Sequence, residues 1–466
     1  MDGQNIARQS PAEESPSSIK TLGSRFAETV RFMVPHTPVT WDTIVLAMAV
    51  ALLPVFYLTL KNWTEAWLVI LAVVSAYGIF RSRLPLRAFF PDAATAWMFV
   101  ALAFPIVAVF ISILIRGDLQ SSLWKQNLDL LNGPGRLFLA GIALLWLNHR
   151  KVRFLDVVPV ALAVGIIITF FFATTQQPGV ANRYTTSLLD LCTFGQQICL
   201  LGLLQFYFLI FHPPRSRVLW ALSILAIILA TKMGIAAGGR GGWIVVPPLL
   251  VIAALLYKGH KAKILGLLLV ALLAIGGVLA TNQIFRDRLT SIYSETTAWF
   301  AGDATAGGSG RLTIMAISWE LIKDNPLKGY ASKHNLWGPV YRMDPSRYSR
   351  QGFTYESTEY HRFTLCDTGE HNQYLHEWLT SGIFGLLAIS LLLLVPLVVF
   401  FTRLRGGSGD AYAAAVIGIG FVVAFMVFGF TQGPFSYKVV ASFYGFMIAG
   451  LASCHAPRTG APKSAE

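Results

Sequence analysis

Long apolar segments recur along almost the whole chain and constrain its fold more than any other feature. A helix needs about 20 mostly apolar residues to cross the hydrocarbon core of a bilayer, and twelve segments approach that requirement. They lie at roughly 43–60, 63–80, 93–115, 136–147, 155–173, 188–211, 218–236, 243–257, 264–281, 382–402, 411–428 and 435–452. Lipid cannot satisfy unpaired backbone groups, and these segments are too long for barrel strands. The sequence therefore predicts an all-α polytopic membrane protein with about twelve transmembrane helices.

The composition excludes several classes of protein. Only 13% of the residues are charged, whereas a soluble domain carries about a quarter, and the mean hydropathy is +0.57. A soluble globular protein and a disordered chain are both inconsistent with these values. The net charge of +13 does not indicate a nucleic-acid partner either, because the position of the basic residues explains it.

The basic residues indicate an orientation in the membrane. If the N-terminus is cytoplasmic, the short inner loops carry thirteen Lys and Arg residues and the short outer loops carry six, as the positive-inside rule requires. The segment 1–42 is polar and has no apolar core of a signal peptide. The predicted organisation is a cytoplasmic tail at 1–42, spans 1–9 at 43–281, a periplasmic loop at 282–377, spans 10–12 at 378–452 and a cytoplasmic tail at 453–466.

The loop 282–377 is predicted to contain structure of its own. Loops this long without secondary structure are uncommon in compact proteins and are often functional. After Ser309-Gly310, apolar residues recur at helical spacing, and Asn325-Pro326 ends the pattern. The predicted apolar stripe consists of Leu312, Met315, Ala316, Trp319 and Ile322. This pattern predicts an amphipathic helix that lies on the membrane surface or caps the bundle.

Arg240 lies in the sequence Gly-Gly-Arg-Gly-Gly-Trp at the predicted outer end of the seventh span. Glycines let a backbone approach a ligand closely, and the planar guanidinium suits a phosphate. The segment is not a P-loop, because no strand precedes it and no Gly-Lys-Ser/Thr follows. A flexible turn with a solvated arginine is the alternative interpretation.

Arg311 and His371 are the other two candidates. Arg311 opens the loop helix, where a cation is unfavourable unless an anion binds the helix N-terminus and the arginine together. His371 leads into the tenth span, and the positive end of a helix dipole favours a neutral imidazole that can accept a proton. A polar residue that merely marks the membrane boundary is the alternative for His371.

No metal or other cofactor is predicted. His361, Cys366, Asp367, His371 and His376 are close in sequence, but their spacing matches no recognised zinc pattern. Arginines must therefore handle any anionic leaving group on the outer face. Arg183, in the loop between the fifth and sixth spans, is a further candidate ligand, although a solvated loop charge explains it at least as well.

Three segments together resemble the O-antigen ligase family, within a superfamily that includes O-antigen polymerases and protein O-oligosaccharyltransferases. The first ends in Gly-Gly-Arg-Gly-Gly-Trp at Trp243, and the second runs from Ser309-Gly310-Arg311 to Asp324-Asn325-Pro326-Leu327-Lys328-Gly329-Tyr330. The third is Glu370-His371-Asn372-Gln373-Tyr374-Leu375 followed by Gly382-Ile383-Phe384-Gly385-Leu386. The resemblance covers roughly residues 230–390. Many members have Ser or Thr where this chain has Gly239.

The resemblance implies a periplasmic reaction at a Gram-negative inner membrane. O-antigen polysaccharide would pass from undecaprenyl pyrophosphate to the lipid A–core oligosaccharide, catalysed by a metal-independent, inverting glycosyltransferase of GT-C-like architecture. Arg240 and Arg311 would bind pyrophosphate, with Arg183 as a weaker candidate, and His371 would be the catalytic base. Besides these two substrates, membrane lipids are the expected partners.

Three alternatives remain open at this level. An O-antigen polymerase or a protein O-oligosaccharyltransferase would share the pyrophosphate chemistry and differ only in acceptor. A secondary transporter also has many spans, but transporters tend to show repeated halves and polar or broken helices near the midplane, whereas these candidates cluster at one face. A non-catalytic scaffold would not need basic residues gathered at three outer sites.

Overall fold

A computed structural model describes most of the chain. The described residues are 27–35, 39–117, 128–175, 185–259, 283–301, 309–331, 333–348 and 355–454, with seven isolated positions between 266 and 281. All regular secondary structure within these ranges is helical. The prediction of an all-α protein is confirmed for this part of the chain.

The described residues of the bundle and the loop form sixteen α-helices, which follow a short helical segment at 27–33. They are α1 (Trp41–Leu52), α2 (Trp63–Arg81), α3 (Ala93–Arg116), α4 (Asn132–Arg150), α5 (Phe154–Thr175), α6 (Leu191–Phe211), α7 (Arg217–Ala237), α8 (Arg240–Trp243), α9 (Val246–Leu256), α10 (Gln283–Phe300), α11 (Ser309–Asp324), α12 (Trp337–Arg342), α13 (Tyr355–Thr368), α14 (Gln373–Gly406), α15 (Gly409–Gly429) and α16 (Lys438–Ser453).

The helices agree with the predicted spans in position but not always in length. Each predicted span except the ninth coincides at least partly with a described helix. Most of the ninth, 264–281, lies outside the described residues. Seven described helices are long and apolar enough to cross a membrane, namely α2, α3, α5, α6, α7, α14 and α15, while α1, α9 and α16 are apolar but shorter. The chain is a multi-pass membrane protein, and the total of twelve spans stays a prediction.

Helix α16 lies at the centre of the bundle, because every residue from Val439 to Ser453 is buried. It packs closely on α4, where a Cβ on Gly445 would lie 2.6 Å from the Cβ of Ala140. Small residues allow such approach in membrane bundles, where packing rather than the hydrophobic effect drives helix association. Aromatic rings fill the opposite side of α16, with Tyr444 stacked on Phe421 at 5.5 Å between centroids.

The loop between α9 and α14 has a hydrophobic core of its own. Ile314, Ile317 and Leu321 of α11 are buried against Leu365 of α13 and Leu379 of α14. The amphipathic helix predicted after Ser309-Gly310 is therefore confirmed, and it ends before Asn325-Pro326 as expected.

The apolar stripe predicted on α11 is confirmed only in part, because Ile322 is buried and Ala316 packs against the core of the loop, but other members are not buried. Trp319, which the pattern assigns to the stripe, is 45% exposed, whereas Ile317 and Ser318 are fully buried. The helix packs against both α13 and α14, and two partners on adjoining sides select a face that the spacing of the largest apolar residues does not reveal.

Helix α14 is broken at Gly382, and the break is where the loop docks onto the bundle. Gly382 has φ 64° and Gly329 has φ 67°, a region that glycine enters without steric cost. A Cβ on Gly382 would lie 2.0 Å from the carbonyl oxygen of Leu327, so the two chain segments touch through bare backbone. The Tyr330 N–H donates to the Leu379 carbonyl at 2.8 Å, and the Ile383 N–H donates to the Pro326 carbonyl at 2.9 Å.

Arg116, the last residue of α3, ties this junction to the bundle. Its Nη1 donates to the carbonyl oxygens of Lys328 and Thr380 at 3.2 Å each. The Lys328 carbonyl also accepts from the hydroxyl of Ser112, one turn earlier in α3. The segment Asn325–Tyr330, which is part of the second family-like segment, is thus held against both α3 and the part of α14 around Gly382. That part of α14 follows His371 in the chain.

Candidate active site

Asp190 organises the end of the bundle at which α6 begins. Its carboxylate caps α6 by accepting from the backbone N–H groups of Cys192 at 2.8 Å and Thr193 at 3.1 Å. Such caps satisfy N–H groups that a helix leaves unpaired at its start. The second carboxylate oxygen accepts from the hydroxyl of Tyr437 and, at 3.4 Å, from the side-chain amide of Gln432. One carboxylate therefore connects the starts of α6 and α16 with the end of α15.

His371 joins this cluster through Gln432. The His371 Nδ1 lies 2.8 Å from the Gln432 Oε1. The backbone of His371 has φ 50°, an uncommon conformation for a residue other than glycine and one found often at functional sites. The next residue, Asn372, caps α14 by accepting from the N–H groups of Tyr374 and Leu375. The predicted position of His371 at the entrance of a helix is confirmed, although that helix begins at Gln373 rather than at 382.

Arg311 reaches the same helix start from the loop. It lies in the first turn of α11, and its Nη2 is 3.7 Å from the Sγ of Cys192, two residues after Asp190. The guanidinium is half-buried. Arg311 and His371, 60 positions apart in the sequence, are therefore both connected to the first turn of α6.

The glycine-rich segment around Arg240 packs on the first turns of α6 as well. A Cβ on Gly239 would lie 3.4 Å from the carbonyl oxygen of Cys192, and one on Gly242 would lie 2.7 Å from the carbonyl oxygen of Gly195. A Cβ on Gly241 would meet the amide of Gln196 at 2.7 Å. Close packing against α6 therefore explains why glycine occupies these positions, which the sequence alone did not reveal. Helix α8 begins at Arg240, between these glycines. The Arg240 side chain lies outside the described residues.

We call this end of the bundle the site end. It comprises the starts of α6, α8, α11, α14 and α16 and the ends of α7 and α15. The Gln196 amide donates to the Thr431 hydroxyl at 2.9 Å, so the partners of the Arg240 segment and of His371 are adjacent in the chain at Thr431 and Gln432. The structure brings Arg311, His371 and the backbone of Arg240 together. Arg183 lies outside the described residues.

Two carboxylates close to His371 are held ionised. Burial alone raises the pKa of Asp190, but the hydrogen bonds from Thr193, Tyr437 and Cys192 outweigh it, and the pKa lies below its usual range. Burial likewise raises the pKa of Glu370, and the charge and hydrogen bond of His376, at 2.8 Å, reverse the shift. The site end therefore carries fixed negative charge on one side and the guanidinium of Arg311 on another.

Asp190, Gln432, Thr431 and Tyr437 were missed by the sequence analysis. Asp190 had a local signal, because an aspartate directly before an apolar segment is a typical N-cap. Gln432 had none, since the residue that it contacts lies 61 positions away. Thr431 and Tyr437 are ordinary polar residues between two spans and become conspicuous only in the folded chain.

The histidines and the cysteine of the loop serve separate partners. His376 pairs with Glu370 and His371 with Gln432, while Cys366 is buried in the core of the loop. Within the residues that the structure describes, no group of three or more His, Cys, Asp or Glu side chains is arranged to hold a metal ion.

The fold and the site together define the class: a multi-pass helical membrane protein with a polar cluster at one end of its bundle and a structured loop docked beside it. Residues 225–390 match the model of the O-antigen ligase family. The resemblance seen in the sequence is confirmed. Members of the family are glycosyltransferase-like enzymes of lipopolysaccharide biosynthesis that act on lipid-linked polysaccharide.

A relative from Haemophilus influenzae, described as an uncharacterized protein, is 26% identical over 324 residues. The match covers 67% of this chain and 76% of the relative. It extends the similarity well beyond the family segment, which includes Arg240, Arg311 and His371 but not Asp190 or Gln432.

Proposed function

We propose that the protein is an O-antigen ligase, which transfers O-antigen polysaccharide from undecaprenyl pyrophosphate to the lipid A–core oligosaccharide. The observation that carries the proposal is the meeting of three distant segments at the first turns of α6. Arg311 contacts Cys192, His371 connects to Asp190 through Gln432, and the Arg240 segment packs on Gly195 and Gln196. The match of residues 225–390 to the O-antigen ligase family supports this chemical interpretation of the cluster.

The proposed chemistry needs positive charge and a base. When the glycosyl–phosphate bond breaks, negative charge develops on the pyrophosphate, and Arg240 and Arg311 can stabilise it through charge-assisted hydrogen bonds. His371 takes the proton from the incoming sugar hydroxyl, a contribution of about 10²–10⁴ in rate. Attack is direct and inverting, without a covalent glycosyl-enzyme intermediate, and it does not depend on a metal ion.

The two substrates are both anchored in lipid, which suits a site at the end of a membrane bundle. The positive-inside rule supports a site end at the periplasmic face of the inner membrane, with both termini in the cytoplasm. Diffusion in one plane and a cleft between the bundle and the docked loop would give the reacting groups their orientation. GT-C-like architecture is part of the same proposal.

Transfer from a defined lipid-pyrophosphate donor to lipid A–core in the presence of EDTA tests the proposal. We expect the wild type to remain active and Arg240→Ala, Arg311→Ala and His371→Ala each to lose at least about two orders of magnitude, the typical effect of removing one such group. Arg217→Ala is the matched control, because Arg217 is exposed at the opposite end of α7. It should retain full activity.

Three outcomes would contradict the proposal. Transfer that EDTA abolishes would exclude metal-independent chemistry, and a trapped glycosyl-enzyme would exclude direct attack. Transfer to a growing O-antigen chain or to a protein hydroxyl, with none to lipid A–core, would assign the chain to the polymerase or the protein-transferase branch of the superfamily.

A further inference from the structure

We infer that Gln432 and Asp190 are positioning residues that hold His371 in the tautomer with the proton on Nδ1, so that Nε2 is free to accept the proton of the acceptor hydroxyl. The inference rests on the proposed function for its consequence in catalysis. Its structural content, a defined tautomer, can be measured without any turnover. Both residues lie outside the segment 225–390 that matches the family.

The ionised carboxylate of Asp190 can only accept hydrogen bonds. The side-chain group of Gln432 that faces it, 3.4 Å away, must therefore be the NH₂ group. The opposite amide orientation would set the Gln432 oxygen against a carboxylate oxygen, a repulsive contact between two acceptors. The charge on Asp190 thus selects one of the two possible orientations of the amide.

The selected orientation determines the proton on His371. With its NH₂ group turned to Asp190, Gln432 presents Oε1 to the ring, 2.8 Å from Nδ1. An amide oxygen accepts, so Nδ1 must donate and carry the proton. In a neutral imidazole the other nitrogen is then the acceptor, which leaves Nε2 as the basic atom.

The backbone leaves these groups little freedom. Gln432 is buried, and its N–H donates to the Phe428 carbonyl at 2.9 Å at the end of α15. Asp190 is held by the two N–H groups that it caps and by Tyr437. His371 itself is fixed between Glu370, which is buried against His376, and the cap residue Asn372. Because the start of α6, the end of α15 and the start of α14 each fix one of these residues, the imidazole of His371 can be held in a single tautomer.

NMR of purified full-length protein with ¹⁵N-labelled histidine rings gives the direct test. The His371 resonances are assigned by their loss in His371→Gln, and the neutral ring of the wild type should show a protonated Nδ1 and an unprotonated Nε2. In Asp190→Asn the tautomer with the proton on Nδ1 should no longer dominate, because the asparagine oxygen caps α6 and its NH₂ group then faces Gln432 and favours the opposite orientation of that amide. Asparagine caps helices about as well as aspartate, so α6 should remain intact.

Exchanging the carboxylate and the amide between positions 190 and 432 distinguishes a positioning role of these residues from a purely structural one. Gln432→Glu places two carboxylates opposite each other, and Asp190→Asn removes the fixed charge, so each single variant should lose about 10- to 100-fold in transfer, within the range that a general base contributes. In the double variant Asp190→Asn/Gln432→Glu, the new amide donates to the new carboxylate, which accepts from Nδ1. The double variant should recover the tautomer and most of the lost activity.

Gln197→Leu serves as the control for stability alone. Gln197 is fully buried in α6, the helix that Asp190 caps, and its side-chain oxygen accepts from the hydroxyl of Tyr57 at 2.8 Å rather than contacting His371. Its loss should lower the melting temperature and leave the His371 tautomer unchanged. A structural role for Asp190 would instead leave the tautomer unchanged in Asp190→Asn and give a double variant worse than either single one.

The failures of the two proposals are distinguishable. Absence of glycan transfer by the wild type would end the proposed function, while the NMR result would still decide the tautomer. A proton on Nε2 in the wild type, or an unaltered ring in both single variants, would overturn the inference even if transfer is observed.

Discussion

A histidine lies near each end of helix α6, and the two rings contact different chemical groups. At the site end, the ring of His371 meets the neutral amide of Gln432, and the carboxylate of Asp190 lies beyond that amide. At the other end, His212 follows the last residue of α6 and lies directly against Asp156 at 3.0 Å and Asp410 at 3.4 Å.

The consequence is a difference in charge and in role. The hydrogen bond that His212 donates to the Asp156 carboxylate raises the pKa of His212, and a helix C-terminus also favours a cation. His212 therefore links the end of α6 to the starts of α5 and α15 through ion pairs with Asp156 and Asp410. An amide between carboxylate and imidazole, as at His371, orients a ring without forming an ion pair with it. In this chain the direct carboxylate contacts make His212 a structural link, whereas the amide of Gln432 orients the ring of His371, the proposed base.

The largest expected effect is on transfer activity. His371→Gln should reduce transfer by at least about 10², because a general base contributes 10²–10⁴. His212→Gln should reduce it less than about threefold, since His212 lies at the opposite end of α6. Initial rates with the lipid-pyrophosphate donor, measured for both variants at matched protein folding, check the difference. Equal losses would remove the distinction between the two ends.

Two glycines with positive φ provide a comparison of backbone packing. Gly382→Ala should cost about 2–4 kcal/mol of stability, because its Cβ would lie 2.0 Å from the Leu327 carbonyl and force the loop away from the bundle. Gly409→Ala, at the opposite end, has φ 54° and open space around the new Cβ, so only the conformational cost of about 1–2 kcal/mol applies. Thermal unfolding of both variants in the same detergent measures the gap; equal shifts would show that docking of the loop contributes nothing.

Variants of two arginines that donate to backbone carbonyls test whether the contact between the loop and α14 near Gly382 matters for function. Arg116→Leu should lower transfer about tenfold, because displacement by about 1 Å of groups near a reaction can cost up to 10²-fold and Arg116 holds the Lys328 and Thr380 carbonyls. Arg403→Leu removes a similar bond to the Ala452 carbonyl at 2.6 Å, at the other end. It should lower the melting temperature with little change in rate. A rate loss as large in Arg403→Leu would mean that both act only through stability.

The smallest expected effect is a dependence of stability on pH. The pKa of His212 in the folded protein lies above the usual histidine value of about 6.5. The stabilising contribution of His212 is therefore complete below about that pH and is lost as the pH rises through the folded pKa. Wild-type protein should therefore lose more stability than His212→Gln between pH 6 and pH 8. Melting temperatures at the two values test the sign, and an identical loss in both proteins would contradict it.

The sequence predicted the helices well and their environment less well. Apolar length located every span that the structure describes, because a helix in lipid must be long and apolar whatever its neighbours are. The start of α14 at Gln373 was missed, since Gln373, His376 and Glu377 look like loop residues until their partners are known. Trp319 was assigned to a buried face for the same reason: its exposure depends on where α13 and α14 lie.

Some residues of the candidate site could likewise be predicted from the sequence, and others could not. Arg311 and His371 stood out because each is an unusual residue at a helix start, and the family resemblance gave them roles to test. Gln432 and Asp190 carry no such mark in the chain. Their importance arises from two contacts that span 61 and 242 positions, which no local pattern records.

The sequence by itself determined that this chain is a polytopic helical membrane protein, where its basic loops lie and which family its central segment resembles. These properties depend on local chemistry, namely apolar length, charge near helix ends and short motifs. Tertiary structure alone decided that the start of α6 gathers the candidate residues and that an amide lies between Asp190 and His371. A hydrogen bond depends on distances of about 3 Å, and only the packing of the helices brings residues from distant parts of the chain within that range.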